Sequence, residues 1–139
     1  MYLPWYKEKL AGDFMSELIL ASSSPRRREI LSLVYPSFQI ITKDVDETVD
    51  PKLPPVEIVM NLAERKSKGV AEEYPDAFVI GADTIVYLDG IILGKPKDAE
   101  DAEQMLSRLS RKTHSVFTGV AICHQGKVDT FFERTDVTF

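Results

Sequence analysis

The stretch Ser22-Ser23-Ser24-Pro25-Arg26-Arg27-Arg28 breaks a local rule. Ser24 followed by Pro25 is a helix start, with serine as N-cap and proline at the first helical position. Three arginines then crowd the first turn, where the helix macrodipole is already positive and further cations are unfavourable. A polyanion would resolve the conflict, because free backbone N–H groups, serine hydroxyls and guanidinium forks all suit phosphate. A solvated basic turn paired with nearby acids is the alternative. No G-x-x-x-x-G-K-[ST] loop occurs, so this is not a Walker-type site.

Four further residues sit against their surroundings. Lys66 follows Val59 by seven positions, within about 20° of the apolar stripe of its helix, so it either snorkels to the rim or points into a site. Asp83 closes the apolar run Phe78-Val79-Ile80-Gly81-Ala82, where α/β folds place site residues beyond a strand's carboxyl end. An Asp capping the next turn is the alternative. Gly81 would let a ligand or backbone come close. Lys95, between Gly94 and Pro96, is held in a restricted turn. Glu47 lies in an acidic loop, and paired with Asp83 it could hold a divalent cation that also takes substrate phosphates. Cys123 falls on an expected strand and reads as core, and His114 has no nucleophile pattern beside it.

Composition narrows the chemistry. The chain of 139 residues fits one domain, and 44% apolar with 28% charged residues excludes a disordered or collagen-like chain. The net charge of −5 gives no overall attraction for DNA, RNA or anionic membranes, so an anion site must be local. One cysteine and two histidines leave no disulfide and no Cys/His zinc cluster. Two histidines also leave little room for His-based catalysis, and a hydrolase built from these residues is expected to use carboxylates, lysines, arginines or a hard metal.

The elements that must position these groups alternate strand and helix. A strand over Leu18–Ala21 leads into the Pro25 helix, whose apolar face is Ile30, Leu31 and Val34. Phe38–Thr42 reads as a second strand, followed by the acidic loop Lys43–Pro55. A helix from Pro55 to Glu73 buries Val59, Leu62, Ala63 and Val70. Ala77–Ala82 reads as a central strand. Asp89-Gly90 is a type I′ turn joining Thr84–Leu88 to Ile91–Leu93. Asp98 caps a helix with the stripe Ala102, Met105, Leu106 and Leu109. Alternation at Val116, Thr118, Val120 and Ile122 gives a strand that returns through Gln125-Gly126 into Val128–Phe139. Residues 1–14 share no period with the rest and read as an N-terminal extension, leaving 15–139 as the domain. The class is α/β with a mixed sheet.

Taken in order, S22-S-S24-P25-R26-R27, D46-E47, A63-E64-R65-K66, G81-A82-D83-T84 and G94-K95-P96 resemble the Maf family of nucleoside-triphosphate pyrophosphatases, first associated with septum formation. The resemblance runs from Leu18 to Phe139. It implies an elongated mixed sheet flanked by helices around a central cleft, of the inosine-triphosphate pyrophosphatase type. It implies hydrolysis of a nucleoside triphosphate to monophosphate and pyrophosphate with Mg²⁺ or Mn²⁺. Arg26 after the proline, together with Thr84, resembles the branch acting on dTTP, UTP and modified pyrimidine nucleotides. Position by position, Ser22, Arg26 and Arg27 would bind phosphate, and Lys66 and Lys95 would offset charge on the leaving group. Glu47 and Asp83 would hold the metal, Asp83 would also orient or deprotonate water, and Thr84 would help position the nucleotide. The family pattern continues past Phe139 with a Gln-bearing segment and further strands. The chain is therefore expected to be the N-terminal portion of a cytoplasmic enzyme, truncated at its C-terminus. The partner expectations are a nucleoside triphosphate, no DNA or RNA, and no membrane, with a homodimer left open. The rival functions are a non-enzymatic nucleotide-binding regulator of septum formation, an inactive fragment, or a partner-binding half domain.

Overall fold

The structure is a computed structural model that describes residues 17–35, 37–93, 98–110 and 112–138. The expected extension 1–14, the Gly94-Lys95-Pro96 turn and Phe139 lie outside the described residues. The elements run β1 (Leu18–Leu20), α1 (Pro25–Ser32), β2 (Gln39–Ile40), α2 (Pro55–Ala71), β3 (Phe78–Leu88), β4 (Ile91–Leu93), α3 (Ala99–Leu109), β5 (Thr113–His124) and β6 (Lys127–Thr138). The six described strands form one open sheet in the order β2-β1-β3-β5-β6, with β4 also on β3. β1 pairs in parallel with β2 and β3, whereas β3–β4, β3–β5 and β5–β6 are antiparallel. This is the expected mixed α/β class.

Local chemistry explains the boundaries. The Ser24 side chain accepts from the Arg27 amide, and Asp98 accepts from the Asp101 amide, so both expected N-caps are in place. Asp89 and Gly90 have φ of 51° and 80°, and Gln125 and Gly126 have 49° and 79°, the left-handed pairs that match hairpin twist.

α2 covers one face of the sheet. Ile58, Val59 and Leu62 pack on Ile85 and Phe117, while Val70 packs with Ile19, Ala21, Val79 and Cys123. The helix comes close because glycines face it. A Cβ on Gly81 would lie 2.5 Å from the Ala63 carbonyl oxygen, and one on Gly119 2.4 Å from the Val59 carbonyl. The close approach expected at Gly81 is therefore that of helix backbone.

Four expectations change. Ala77–Ala82 and Thr84–Leu88 are one strand, so Asp83 lies within β3, opposite Gly119. It does lie past the end of its parallel neighbour, since along β3 the β1 ladder covers Phe78–Ile80. β2 is two residues long rather than five. The apolar face of α1 is not core: Ile30 is 56% exposed and Val34, beyond the helix end, 69%. The α3 stripe is likewise unburied, with Leu106 61% exposed.

Candidate active site

One edge of β3 is split. β1 holds it at Phe78–Ile80, with the Ala21 amide donating to the Ile80 carbonyl as a last rung, and β4 resumes at Val86. The segment between carries Asp83. Arg27 enters from α1 where the ladder stops: its Nη1 donates to the Ala82 carbonyl at 3.2 Å and to Ser22 Oγ at 3.0 Å. Its Nη2 donates to Thr84 Oγ1 at 2.7 Å. The guanidinium thus grips both neighbours of Asp83 and the first serine of the turn. Burial lowers the Arg27 pKa, and the Asp83 charge opposes that shift.

Lys66 reaches the same point from the helix face. Its Nζ lies 2.7 Å from Asp83 Oδ1 and 3.3 Å from Glu47 Oε1. Asp83 and Lys66 side chains are 15% and 24% exposed, whereas Glu47 is 62% exposed. A short charge-assisted bond holds the inner pair, and the outer carboxylate stays largely in water.

The loop that carries Glu47 is fastened by Arg65, one residue before Lys66. Its Nη1 donates to the carbonyls of Asp46 at 2.9 Å and Thr48 at 2.6 Å. Asp46 accepts from the Thr48 amide, and hydrogen bonding to Thr48 holds its carboxyl below the ordinary range.

A cleft of about 530 Å³ opens between the N-terminus of α1 and this loop. Ser22, Ser23, Ser24, Arg27, Glu47 and Lys66 line it. Helix N–H groups, hydroxyls and two cations at one end of a sheet suit a phosphate chain. Of the residues singled out in the sequence, Ser22, Arg27, Glu47 and Lys66 meet here, with Asp83 directly behind Lys66. Arg26 is exposed and does not line the cleft. Thr84 stands on the opposite face of β3 from Asp83, its hydroxyl engaged by Arg27 and 3.1 Å from that of Thr118. The fastening role of Arg65 and the Thr118 hydroxyl escaped the sequence reading. An Arg beside a Lys on a helix carries no signal of a loop partner 17–19 positions away.

Glu47 and Asp83 are hard oxygen donors on either side of one ammonium, a donor set that suits Mg²⁺ or Mn²⁺ only together with substrate phosphates and water. Among the described residues no group of three or more His, Cys, Asp or Glu side chains is arranged to hold a metal. No helix among them is long and apolar enough to cross a membrane. Cys123 is buried as core, its Sγ 3.1 Å from Ser67 Oγ, and burial pushes the thiol pKa up.

Comparison with known proteins fits these features. The profile of the family described as "Maf-like protein" matches residues 17–139. A Bacillus cytotoxicus protein named dTTP/UTP pyrophosphatase is 51% identical over 125 residues, covering 90% of this chain and 65% of that protein. A Bacillus cereus protein of the same name is 50% identical over 128 residues, covering 92% and 63%. The chain thus spans just under two thirds of the length of these relatives. Among solved structures, the Staphylococcus aureus Ham1 protein aligns with a TM-score of 0.63 at 17% identity, over 87% of this chain and 70% of that one. A HAM1 protein from Coxiella burnetii aligns at 0.53 and 14%, over 88% and 72%. At such identities these two likenesses speak to the fold alone.

Proposed function

The chain belongs to the Maf-like protein family, and from that membership we propose that it acts on nucleoside triphosphates, dTTP and UTP first among them. The reaction is attack of water on the α-phosphorus, breaking the α–β anhydride and releasing nucleoside monophosphate and pyrophosphate. The observation that carries the proposal is Lys66, whose ammonium bridges Asp83 and Glu47 at the wall of a cleft headed by a helix N-terminus. The names of the two Bacillus relatives favour pyrimidine triphosphates.

The β- and γ-phosphates would lie against the N-terminus of α1 and the Ser22 hydroxyl. There Lys66 and Arg27 offset the charge that builds on the departing pyrophosphate. Arg26, which stands outside the cleft wall, and Lys95 are proposed to add to that positive field. Asp83 is the better base for the attacking water, because it is the more enclosed carboxylate and Lys66 and the β3 backbone fix its position. Glu47 and Asp83 would hold Mg²⁺ or Mn²⁺ with the substrate phosphates, and the ion would supply neutralisation of phosphate charge. We place this activity in the cytoplasm, where nucleoside triphosphates and Mg²⁺ are abundant.

The test is a panel of nucleoside triphosphates with Mg²⁺ or Mn²⁺, following both pyrophosphate and orthophosphate. Pyrophosphate release, fastest from dTTP and UTP, is expected. Orthophosphate alone would overturn the assigned bond. Tight dTTP binding with no product at all would instead favour a nucleotide-binding regulator.

A further inference from the structure

We propose that Thr118 is a positioning residue for the phosphate cleft, acting through Thr84 and Arg27; this rests on the part of the functional proposal that puts the triphosphate in that cleft. Thr118 stands directly opposite Thr84 in the β3–β5 register, with 3.1 Å between the hydroxyl oxygens. Thr84 Oγ1 accepts from Arg27 Nη2 at 2.7 Å, which leaves its own proton to donate to Thr118. The other arm of the guanidinium holds Ser22 Oγ and the Ala82 carbonyl. One unbroken chain, Thr118–Thr84–Arg27–Ser22, therefore runs from the middle of the sheet to the wall of the cleft.

The surroundings of Thr118 single out its hydroxyl. On its face of β5 the alternating residues are Val116, Thr118, Val120 and Ile122, so a hydroxyl interrupts an aliphatic row. Thr118 and Val120 line an apolar groove of about 300 Å³ with Ile80 and Ile30, on the face away from α2. Arg27 lines both this groove and the cleft. Valine would fill the same volume at Thr118, so the oxygen is needed for its bond to Thr84 rather than for packing. That bond fixes which way the Thr84 lone pair points, and so fixes the guanidinium. Without it, one arm of Arg27 loses a well-aimed acceptor, and the Ser22 hydroxyl is held by a looser partner.

The test compares Thr118→Val, which deletes only the hydroxyl, with Thr118→Ser, which keeps it, in the full chain. Inorganic triphosphate binding, read by calorimetry, should weaken about fivefold in Thr118→Val, the size of one net neutral hydrogen bond. Thr118→Ser should stay within twofold of the parent, and Thr118→Ala, which also lacks the oxygen, should show the loss. With dTTP the Thr118→Val effect should appear as a similar, about fivefold, loss in kcat/KM that Thr118→Ser restores, because Arg27 both binds the triphosphate and offsets charge on the leaving group. Unchanged triphosphate affinity in Thr118→Val overturns the proposal, as does an equal loss in Thr118→Ser. A parent chain that binds triphosphate but releases no pyrophosphate overturns the hydrolytic function alone. A parent that binds no triphosphate overturns both.

Discussion

Gly81→Ala puts the geometry of the site under the most direct strain. The added methyl carbon would meet the Ala63 carbonyl oxygen at 2.5 Å, the Ser67 amide nitrogen at 2.8 Å and Ser67 Cβ at 2.9 Å. None of these atoms can rotate away, since all belong to the backbone or first side-chain carbon of α2. An ordinary contact needs about 0.9 Å more than the shortest of them, so the helix must lift from β3 or β3 must bend. Overpacking of this kind costs about 1–3 kcal/mol, offset in part by the lower unfolded-state entropy of Ala relative to Gly. The net cost is then about 1.3 kcal/mol, and at about 4 °C per kcal/mol for a chain of this size the unfolding midpoint should fall by roughly 5 °C. The same displacement reaches the site, because Lys66 lies on the turn between Ala63 and Ser67. Its 2.7 Å bond to Asp83 would stretch past the limit of about 3.2 Å for a good hydrogen bond. Pyrophosphate release should therefore drop about tenfold or more, a loss of about 1.4 kcal/mol in transition-state stabilisation. Thermal unfolding by circular dichroism and the pyrophosphate assay read the two effects. Gly126→Ala is the control, because nothing lies within 4 Å of its added carbon and only its φ of +79° is strained. It should lose about 1 kcal/mol and leave the rate per folded molecule unchanged. A Gly81→Ala protein that melts within 2 °C of the parent at full activity would refute the reasoning.

Three further outcomes follow from the same contacts. Asp83→Asn should lower turnover at least a hundredfold, the range of a lost catalytic base, with an unchanged circular dichroism spectrum; near-parental turnover would remove Asp83 from the chemistry. Arg65→Met should free the Asp46–Thr48 loop and raise KM severalfold, while the melting point moves by less than about 1 kcal/mol equivalent, since both lost bonds are exposed; an unchanged KM would show that the loop needs no such tie. Cys123, whose folded-state pKa is raised by burial, contributes stability that is present below the unfolded thiol pKa of about 8.5 and lost as pH rises through the folded value. The parent should thus lose more stability between pH 8 and pH 10 than Cys123→Ala, measured by urea denaturation, and parallel curves would disprove the link.

Several positions were legible before the fold was known, for physical reasons. Lys66 stood out because a lysine on an apolar stripe is costly unless something charged awaits it, and Asp83 and Glu47 do. The caps at Ser24 and Asp98 and both hairpin turns were legible because they depend on neighbouring residues only. Asp83 was misplaced at a strand end, because a carboxylate after an apolar run reads as reaching for water. Its charge is met instead by Lys66 inside the fold, so β3 continues to Leu88. The adjacent arginines could not be told apart by composition. The roughly 100° step between helical neighbours turns Arg27 toward β3 and leaves Arg26 exposed. The split edge of β3 was not legible either, because β1 and β4 reach it from 60 residues before and a few residues after. The exposure of Ile30 and Val34 departs from the amphipathic rule for α1, whose face toward the sheet meets only part of its apolar surface.

The unequal lengths of the strands set an order in time. β5 and β6 pair over twelve residues each across a two-residue turn, and β3 joins β5 over nine. These ladders can close early, since the loops they must shut are short or moderate. β1 contributes three residues, paired with partners about 60 positions away, and β2 only two. The part after β1 that bears Ser24 and Arg27 is expected to be the looser one, since α1 buries none of its residues and the Arg27 fork ties it to β3, whereas β1 itself is core, with Ile19 at 0% and Leu20 at 3% exposure. Amide exchange should show Ser24–Ser32, which buries no residue in α1, opening at a lower free energy than β3 and β5. A triphosphate seated against that segment would slow its exchange selectively, so that the ligand acts as a fastener for the helix that meets it.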